Sequence, residues 1–265
     1  MKQAKTTKQG PLSLLLLLIA IALLFASPRP AAAQAGSLLI WPVDPVIESG
    51  ARATALWLEN PGKAPITLQV RIYAWAQDGG KNAYAPQETI LGTPPIVTVA
   101  PGAKQLIRLT RTTPTPTKAE QAFRVVVDEI PTPSRVAASS AAVSFRMRYS
   151  LPLFAYGDGL SRKGAAEPRT VTHAPRLAWR VISGAGERYL EIRNMGNLHA
   201  RLTDVAFAQE AAPANDNGAL AKGLFGYVLP GATMRWPLPA GTTVGAELVA
   251  AVNGAVRARL ERMPG

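Results

Sequence analysis

Few residues in this chain could carry acid–base, nucleophilic or metal chemistry. Its 265 residues include two histidines, His173 and His199, and no cysteine. Three-histidine metal sites, thiolate zinc sites and cysteine nucleophiles are therefore excluded within one chain, and a Ser-His-Asp triad would need one of the two histidines. His199 follows Gly196-Asn197 in a predicted turn, without a second ligand at a matching spacing. We interpret it as a structural histidine.

The acidic residues and glycines also lack catalytic patterns. Asp44 and Asp78 have no paired carboxylate at a spacing that suits general acid–base catalysis. The glycines form no G-x-x-x-x-G-K-[ST] phosphate loop, and no strand–turn–helix context accompanies them. The sequence therefore predicts a protein that is not an enzyme and uses no metal, nucleotide or other cofactor. The alternative among enzymes is an exported hydrolase that relies on the two histidines.

The amino terminus predicts export. Three lysines among the first eight residues precede an apolar stretch of 15 residues, 12–26, and small residues follow it. This order is typical of a cleavable signal peptide, predicted as residues 1–35 with cleavage after Ala33 or Ala35. The alternative, an uncleaved membrane anchor, needs about 20 apolar residues. The mature protein is expected to have no transmembrane span.

The charge of the mature chain favours protein partners. The signal segment holds four of the 29 basic residues and none of the 17 acidic ones, which leaves a net charge of +8. The basic residues are dispersed singly and form no aromatic-rich basic platform for single-stranded nucleic acid. We therefore expect contacts with proteins or envelope surfaces and none with nucleic acid.

The elements that must position any site are strands. Segments between residues 38 and 154 alternate apolar and polar residues and end at turn residues such as Asn60-Pro61-Gly62 and Asp78-Gly79-Gly80. Seven or so short strands at this spacing predict a β-sandwich, with no convincing helix. The longest alternating segment, 66–75, places one row of side chains on one face: Ile66, Leu68, Val70, Ile72 and Ala74.

A second all-β domain follows a linker. Residues 157–175 combine glycine, proline and charge, as interdomain linkers do. Residues 176–265 again contain strand segments, although about 90 residues are short for a full seven-strand sandwich. The sequence thus predicts two β-sandwich domains in series, 36–156 and 176–265.

Several motifs of the first domain belong together. They are Thr93-Pro94-Pro95, the V-x-P-G-x-x-x-L-I-R pattern of 99–108, the F-R-V-V-V-D-E-I-P run of 123–131, and the R-Y-S-x-P form within 146–154. In this order and spacing they resemble the amino-terminal domain of PapD-like periplasmic pilus-assembly chaperones, especially the archaic chaperone–usher branch. Segments 191–202 and 226–231 extend the resemblance into the second domain.

The resemblance implies two immunoglobulin-like β-sandwiches in a boomerang arrangement with a cleft between them. It also implies a periplasmic chaperone that captures pilus subunits by donor-strand complementation and delivers them to an outer-membrane usher. The donor residues would be Val143, Phe145, Met147 and Tyr149, which share one face of a strand. For the donor residues, the alternative is that their side chains face the core of their own sandwich. For the function, the alternative is a secreted immunoglobulin-like binding or adhesive module.

The family's anchor for the subunit's terminal carboxylate is altered here. The resemblance implies one basic residue on the first strand and one on the last. On the first strand, within 40–47, the expected arginine is absent and Asp44 lies near its position. On the last strand, Leu151 or Pro152 occupies the position of the expected lysine.

A substitute anchor must be basic and close to the cleft. Arg124 is the first candidate and Arg148 the second, with Arg146 and Arg108 after them, because a guanidinium binds a carboxylate in a bidentate fork. For each arginine, an ion pair within its own domain or at the surface is the alternative.

Overall fold

The computed structural model describes residues 38–131, 146–160, 174–184, 186–208 and 219–264. In these ranges the chain forms seventeen β-strands and no α-helix, so no helix there could cross a bilayer. The predicted signal peptide and the residues Val143, Phe145 and His173 lie outside the described residues.

The strands fall into two groups. The first comprises β1 (Leu39–Trp41), β2 (Val46–Ile47), β3 (Ala53–Glu59), β4 (Ile66–Asp78), β5 (Lys81–Pro86), β6 (Ile90–Thr93), β7 (Ile96–Val99), β8 (Lys104–Arg111), β9 (Glu120–Ile130) and β10 (Arg148–Tyr156). The second comprises β11 (Leu177–Gly184), β12 (Glu187–Asn194), β13 (Ala200–Ala208), β14 (Leu224–Val228), β15 (Thr233–Pro237), β16 (Glu247–Val252) and β17 (Ala258–Arg262).

The first group folds as a sandwich of two sheets. One sheet has the order β1-β3-β8-β6, and the other has the order β2-β10-β9-β4-β5, with β7 also paired to β4. Alternate side chains of facing strands fill the core, such as Leu56 and Leu58 from β3 and Val125 and Val127 from β9, each fully buried. Burial of such side chains is the main force that joins the two sheets.

The long strand β4 serves two interfaces. Ile66, Leu68 and Val70 are buried in the core of the first sandwich, as the alternation predicts. Ala74 is only half-buried, whereas Trp75 on the opposite face is 4% exposed. The end of β4 therefore buries its other face, against the second group of strands.

The second group forms one seven-stranded sheet, in the order β14-β13-β16-β17-β11-β12-β15, around its own core. β17 pairs antiparallel with β16 and parallel with β11, and so joins the two halves of this sandwich. The expectation that this segment is too short for seven strands was wrong, because Ala258–Arg262 supplies a seventh strand that its own composition does not predict. The exact domain boundaries at 156 and 176 stay predictions.

An apolar contact, here the interdomain cluster, joins the sandwiches. Its buried members and the residues packed on them are Trp75, Phe154, Tyr156, Leu160, Leu229, Val46, Ala122, Leu198, Tyr227 and Ala232. The β4–β5 turn adds a backbone contact, since the Arg235 N–H donates to the Gly80 carbonyl at 3.1 Å beside a parallel bridge between Gly80 and Met234. Gly80 thereby pairs with part of the outer edge of β15.

Candidate functional site

One edge of β10 is open along most of its length. β10 pairs with β9 from Arg148 to Tyr156, but with β2 only at Phe154 and Ala155. The Phe154 N–H donates to Pro45 on the β2 side. Because backbone groups alternate along a strand, those of Pro152, Ser150 and Arg148 face the same edge. No strand among the described residues pairs with that part of the edge.

The predicted donor row divides along β10. Tyr149 is half-buried and packs on the core of its own sandwich, and Leu151 and Leu153 continue the row into that core. Met147, two residues earlier, is 41% exposed. The alternative of a core-facing row therefore holds at Tyr149 and not at Met147.

Arg124 lies on the outer face of the β10–β9–β4 sheet, because its neighbours Phe123 and Val125 point into the core. Its guanidinium carbon lies 3.9 Å from the ring centre of Trp75 and 5.6 Å from that of Tyr227 in the second sandwich. Its Nε is buried and has no hydrogen-bond partner within the described ranges. No carboxylate in those ranges forms an ion pair with it. The cation is thus held by aromatic rings and not by an acid.

Arg148 differs in this respect. Arg148 and Arg71 both donate to the Asp128 carboxylate. Burial raises the pKa of Asp128, but the two arginines outweigh it, and the pKa lies below its ordinary value. Arg148 is therefore paired within its own sandwich, although it lies next to the open edge.

The other two candidate arginines lie elsewhere. Arg146 precedes β10 and is exposed. Arg108 is on β8, in the opposite sheet, where it lies between Ala55 and Thr93. The structure does not bring Arg108 together with Arg124.

A polar contact beside the interdomain cluster fixes the junction of the sandwiches. The side chain of Glu120 is fully buried. Its carboxylate accepts the His199 backbone N–H at 3.1 Å and lies 2.8 Å from His199 Nδ1. The His199 ring stacks on Phe154 at 3.5 Å. This role fits the interpretation of His199 as a structural residue. No local pattern indicates that Glu120, 79 positions away, is its partner.

Gln77 and Tyr227 were also missed by sequence reasoning. Gln77 Nε2 donates to the Tyr227 carbonyl at 2.9 Å, and Gln77 Oε1 accepts the Leu229 N–H at 2.8 Å. The one sequence feature that could have indicated this contact is Trp75, a large aromatic residue on the face of β4 that otherwise carries polar side chains.

Comparison with known proteins places these features in a family. Residues 43–161 match the model of the pili and flagellar-assembly chaperone PapD N-terminal domain. The structure resembles the chaperone in the CsuC–CsuE chaperone–tip adhesion subunit pre-assembly complex, from the archaic chaperone–usher Csu pili of Acinetobacter baumannii. Identity is 32%, over 86% of this chain and 100% of that one, with a TM-score of 0.69. This chain belongs to the pilus-assembly chaperone family.

More distant chaperones share the fold. The SafB chaperone in complex with the Salmonella enterica SafA pilin gives a TM-score of 0.57 at 16% identity, over 86% of this chaperone and 97% of that chain. The E. coli chaperone DraB gives 0.53 at 16% identity, over 86% and 98%. The fold is therefore two immunoglobulin-like sandwiches, as expected. A search of curated proteins finds no match.

Proposed function

We propose that this chaperone captures pilus subunits by donor-strand complementation, without nucleotide or other cofactor. The observation that carries the proposal is the open edge of β10 beside the exposed Met147. A subunit that lacks a strand exposes an apolar groove and free backbone groups. The β10 edge offers backbone hydrogen bonds, and the predicted row of Val143, Phe145 and Met147 would offer alternating apolar side chains.

The subunit's terminal carboxylate would bind Arg124. This arginine lies one strand away from the open edge, opposite Pro152 of β10 in the β9–β10 register. It is a cation without an acidic partner among the described residues, whereas Arg148 already shares Asp128 with Arg71. A carboxylate at Arg124 would therefore displace no existing ion pair. Arg148 would contribute the electrostatic attraction of its positive charge and a single hydrogen bond to the carboxylate.

Delivery to an outer-membrane usher would use the opposite face of the first sandwich. There Trp41 stacks on Trp57 at 6.4 Å, and Trp57 lies opposite Leu106, which is 38% exposed. These side chains face away from the β10–β9–β4 sheet, so a bound subunit would leave them accessible. Binding of the subunit-loaded chaperone to the periplasmic domain of an usher, compared with that of the free chaperone, tests this step.

Substitution of Met147 tests capture. Met147→Glu places a charge in the subunit's apolar groove, and we expect the chaperone to copurify no subunit from the periplasm of its host. Met195→Glu is the matched control, because Met195 is 42% exposed but outside the β10 row. Circular dichroism establishes that both variants are folded. Normal capture by folded Met147→Glu would contradict the donor-strand assignment.

Substitution of Arg124 tests the anchor. Arg124→Ala should weaken binding of the copurified subunit by about 2–5 kcal/mol, because the partner carboxylate stays buried without its counter-charge. Arg124→Lys should restore only part of this, since the ammonium keeps the charge and loses the fork. A lower melting temperature at unchanged affinity would show that Arg124 only stabilises its own domain.

A further inference from the structure

The second sandwich contributes one aromatic side chain to the surroundings of Arg124. The Tyr227 and Trp75 rings are 5.5 Å apart and nearly perpendicular, at 79°. The two rings form a corner, and the guanidinium of Arg124 lies within reach of both. We propose that Tyr227 is a positioning residue for the carboxylate anchor, so that the second sandwich completes the site. This inference rests on the proposed function of Arg124.

The way the cation is held supports this role. Two acids among the described residues each bind two arginines: Glu191 binds Arg180 and Arg235, and Asp128 binds Arg71 and Arg148. An acid orients a guanidinium but also neutralises it and occupies its donors. Aromatic rings attract the cation through their faces and form no ion pair with it, so the terminal N–H groups of Arg124 stay free for a ligand, whereas its Nε–H is buried. The corner thus orients Arg124 and keeps its charge available.

The position of Tyr227 relative to Trp75 is fixed by hydrogen bonds. Gln77 lies two residues after Trp75 on β4, on the same face of the strand. Its side-chain amide binds the Tyr227 carbonyl and the Leu229 N–H, the backbone groups on either side of Val228. The same strand that carries Trp75 therefore fixes the backbone that carries Tyr227. Pre-organisation of this kind reduces the entropy that Arg124 loses when a ligand binds.

A pair of synthetic peptides tests the inference. Each has alternating valine and threonine residues in a twelve-residue chain, and the two differ only in ending with a carboxylate or a carboxamide. The wild-type protein should prefer the carboxylate by about tenfold or more, which corresponds to about 1.4 kcal/mol. Tyr227→Leu should lose most of this preference, with carboxamide binding unchanged. Tyr227→Phe keeps the ring and should keep the preference.

The controls separate positioning from structure. Tyr189→Leu removes a half-buried tyrosine of β12 that is not part of the interdomain cluster, and it should leave the preference for the carboxylate unchanged. Equal weakening of both peptides by Tyr227→Leu would overturn the inference, because a residue with only a structural role does not distinguish a terminal carboxylate from a carboxamide. Equal loss in Tyr227→Phe and Tyr227→Leu would also overturn it, since the hydroxyl and not the ring would then act.

A second measurement needs no ligand. The Arg124 Nε–H signal in nitrogen-15 relaxation should report a rigid guanidinium in the wild-type protein and a mobile one in Tyr227→Leu; an unchanged order parameter contradicts the proposal. Failure of the anchor itself gives a different result. In that case the wild-type protein shows no preference for the carboxylate, or Arg124→Ala retains it.

Discussion

Loss of the Glu120 carboxylate is expected to destabilise the junction of the two sandwiches. In Glu120→Ala the His199 backbone N–H and the ring Nδ1 lose their acceptor inside a buried contact. Each buried donor left without its acceptor costs about 1–3 kcal/mol, so the loss of both is expected to cost about 2–6 kcal/mol. The His199 side chain is 15% exposed, so solvent can replace part of the lost bonds, and the lower half of this range is expected.

A less drastic variant separates charge from hydrogen bonding. Glu120→Gln retains an oxygen that can accept the His199 N–H, and it should cost about 1–2 kcal/mol. Urea denaturation of the intact mature protein measures both variants, with small-angle scattering to follow the separation of the sandwiches. A double-mutant cycle with His199→Ala should give a coupling energy of about 1 kcal/mol or more.

Two results would refute this reasoning. A cost below about 1 kcal/mol for Glu120→Ala would mean that the contact contributes little beyond the apolar cluster around it. A coupling energy near zero would mean that Glu120 and His199 act independently, although their atoms are 2.8 Å apart.

Two further predictions concern the second sandwich. Gly80→Ala should lower the free energy of unfolding by about 2–3 kcal/mol, because φ is +84° and a Cβ would lie 2.7 Å from Arg235 Cγ and Cδ. Gly79→Ala is the control: φ is +57° there but the space is open, so it should cost about 1 kcal/mol. Equal costs in urea denaturation would contradict the contact between Gly80 and Arg235. Burial raises the pKa of Glu191, but hydrogen bonds from Arg235 and Arg180 outweigh it and hold the pKa below its ordinary value. The stability difference between the wild-type protein and Glu191→Gln should therefore be complete near neutral pH and shrink as the pH falls below about 4.5; a constant difference down to pH 2 would contradict the ion pairs.

The fold could be predicted from local patterns, because each strand buries alternate side chains. β3, β4 and β9 appear where the alternation and the turn residues place them. The seventh strand of the second sandwich, β17, was missed because its segment Ala-Arg-Leu-Glu-Arg has only one large apolar residue. Its position depends on the two neighbouring strands and not on its own composition.

The candidate site could be predicted only in part. The motif around Phe123 places Arg124 on the outer face, since period two fixes which side chains leave the core. The partners of that arginine come from β4 and from the second sandwich, and no local pattern reports a contact between residues so distant in sequence. For the same reason, alternation alone could not show that the β10 row faces its own core at Tyr149 and solvent at Met147.

The backbone contact between Gly80 and β15 has a consequence for biosynthesis. A terminal strand of a sheet is a template for unwanted pairing with other chains. Here the residue that pairs with the edge of β15 comes from the β4–β5 turn, which is synthesised about 150 residues earlier and belongs to a sandwich that can fold as a unit. All ten strands of the first sandwich precede β15 in the chain, so we expect the edge of β15 to stay open only until the two sandwiches dock.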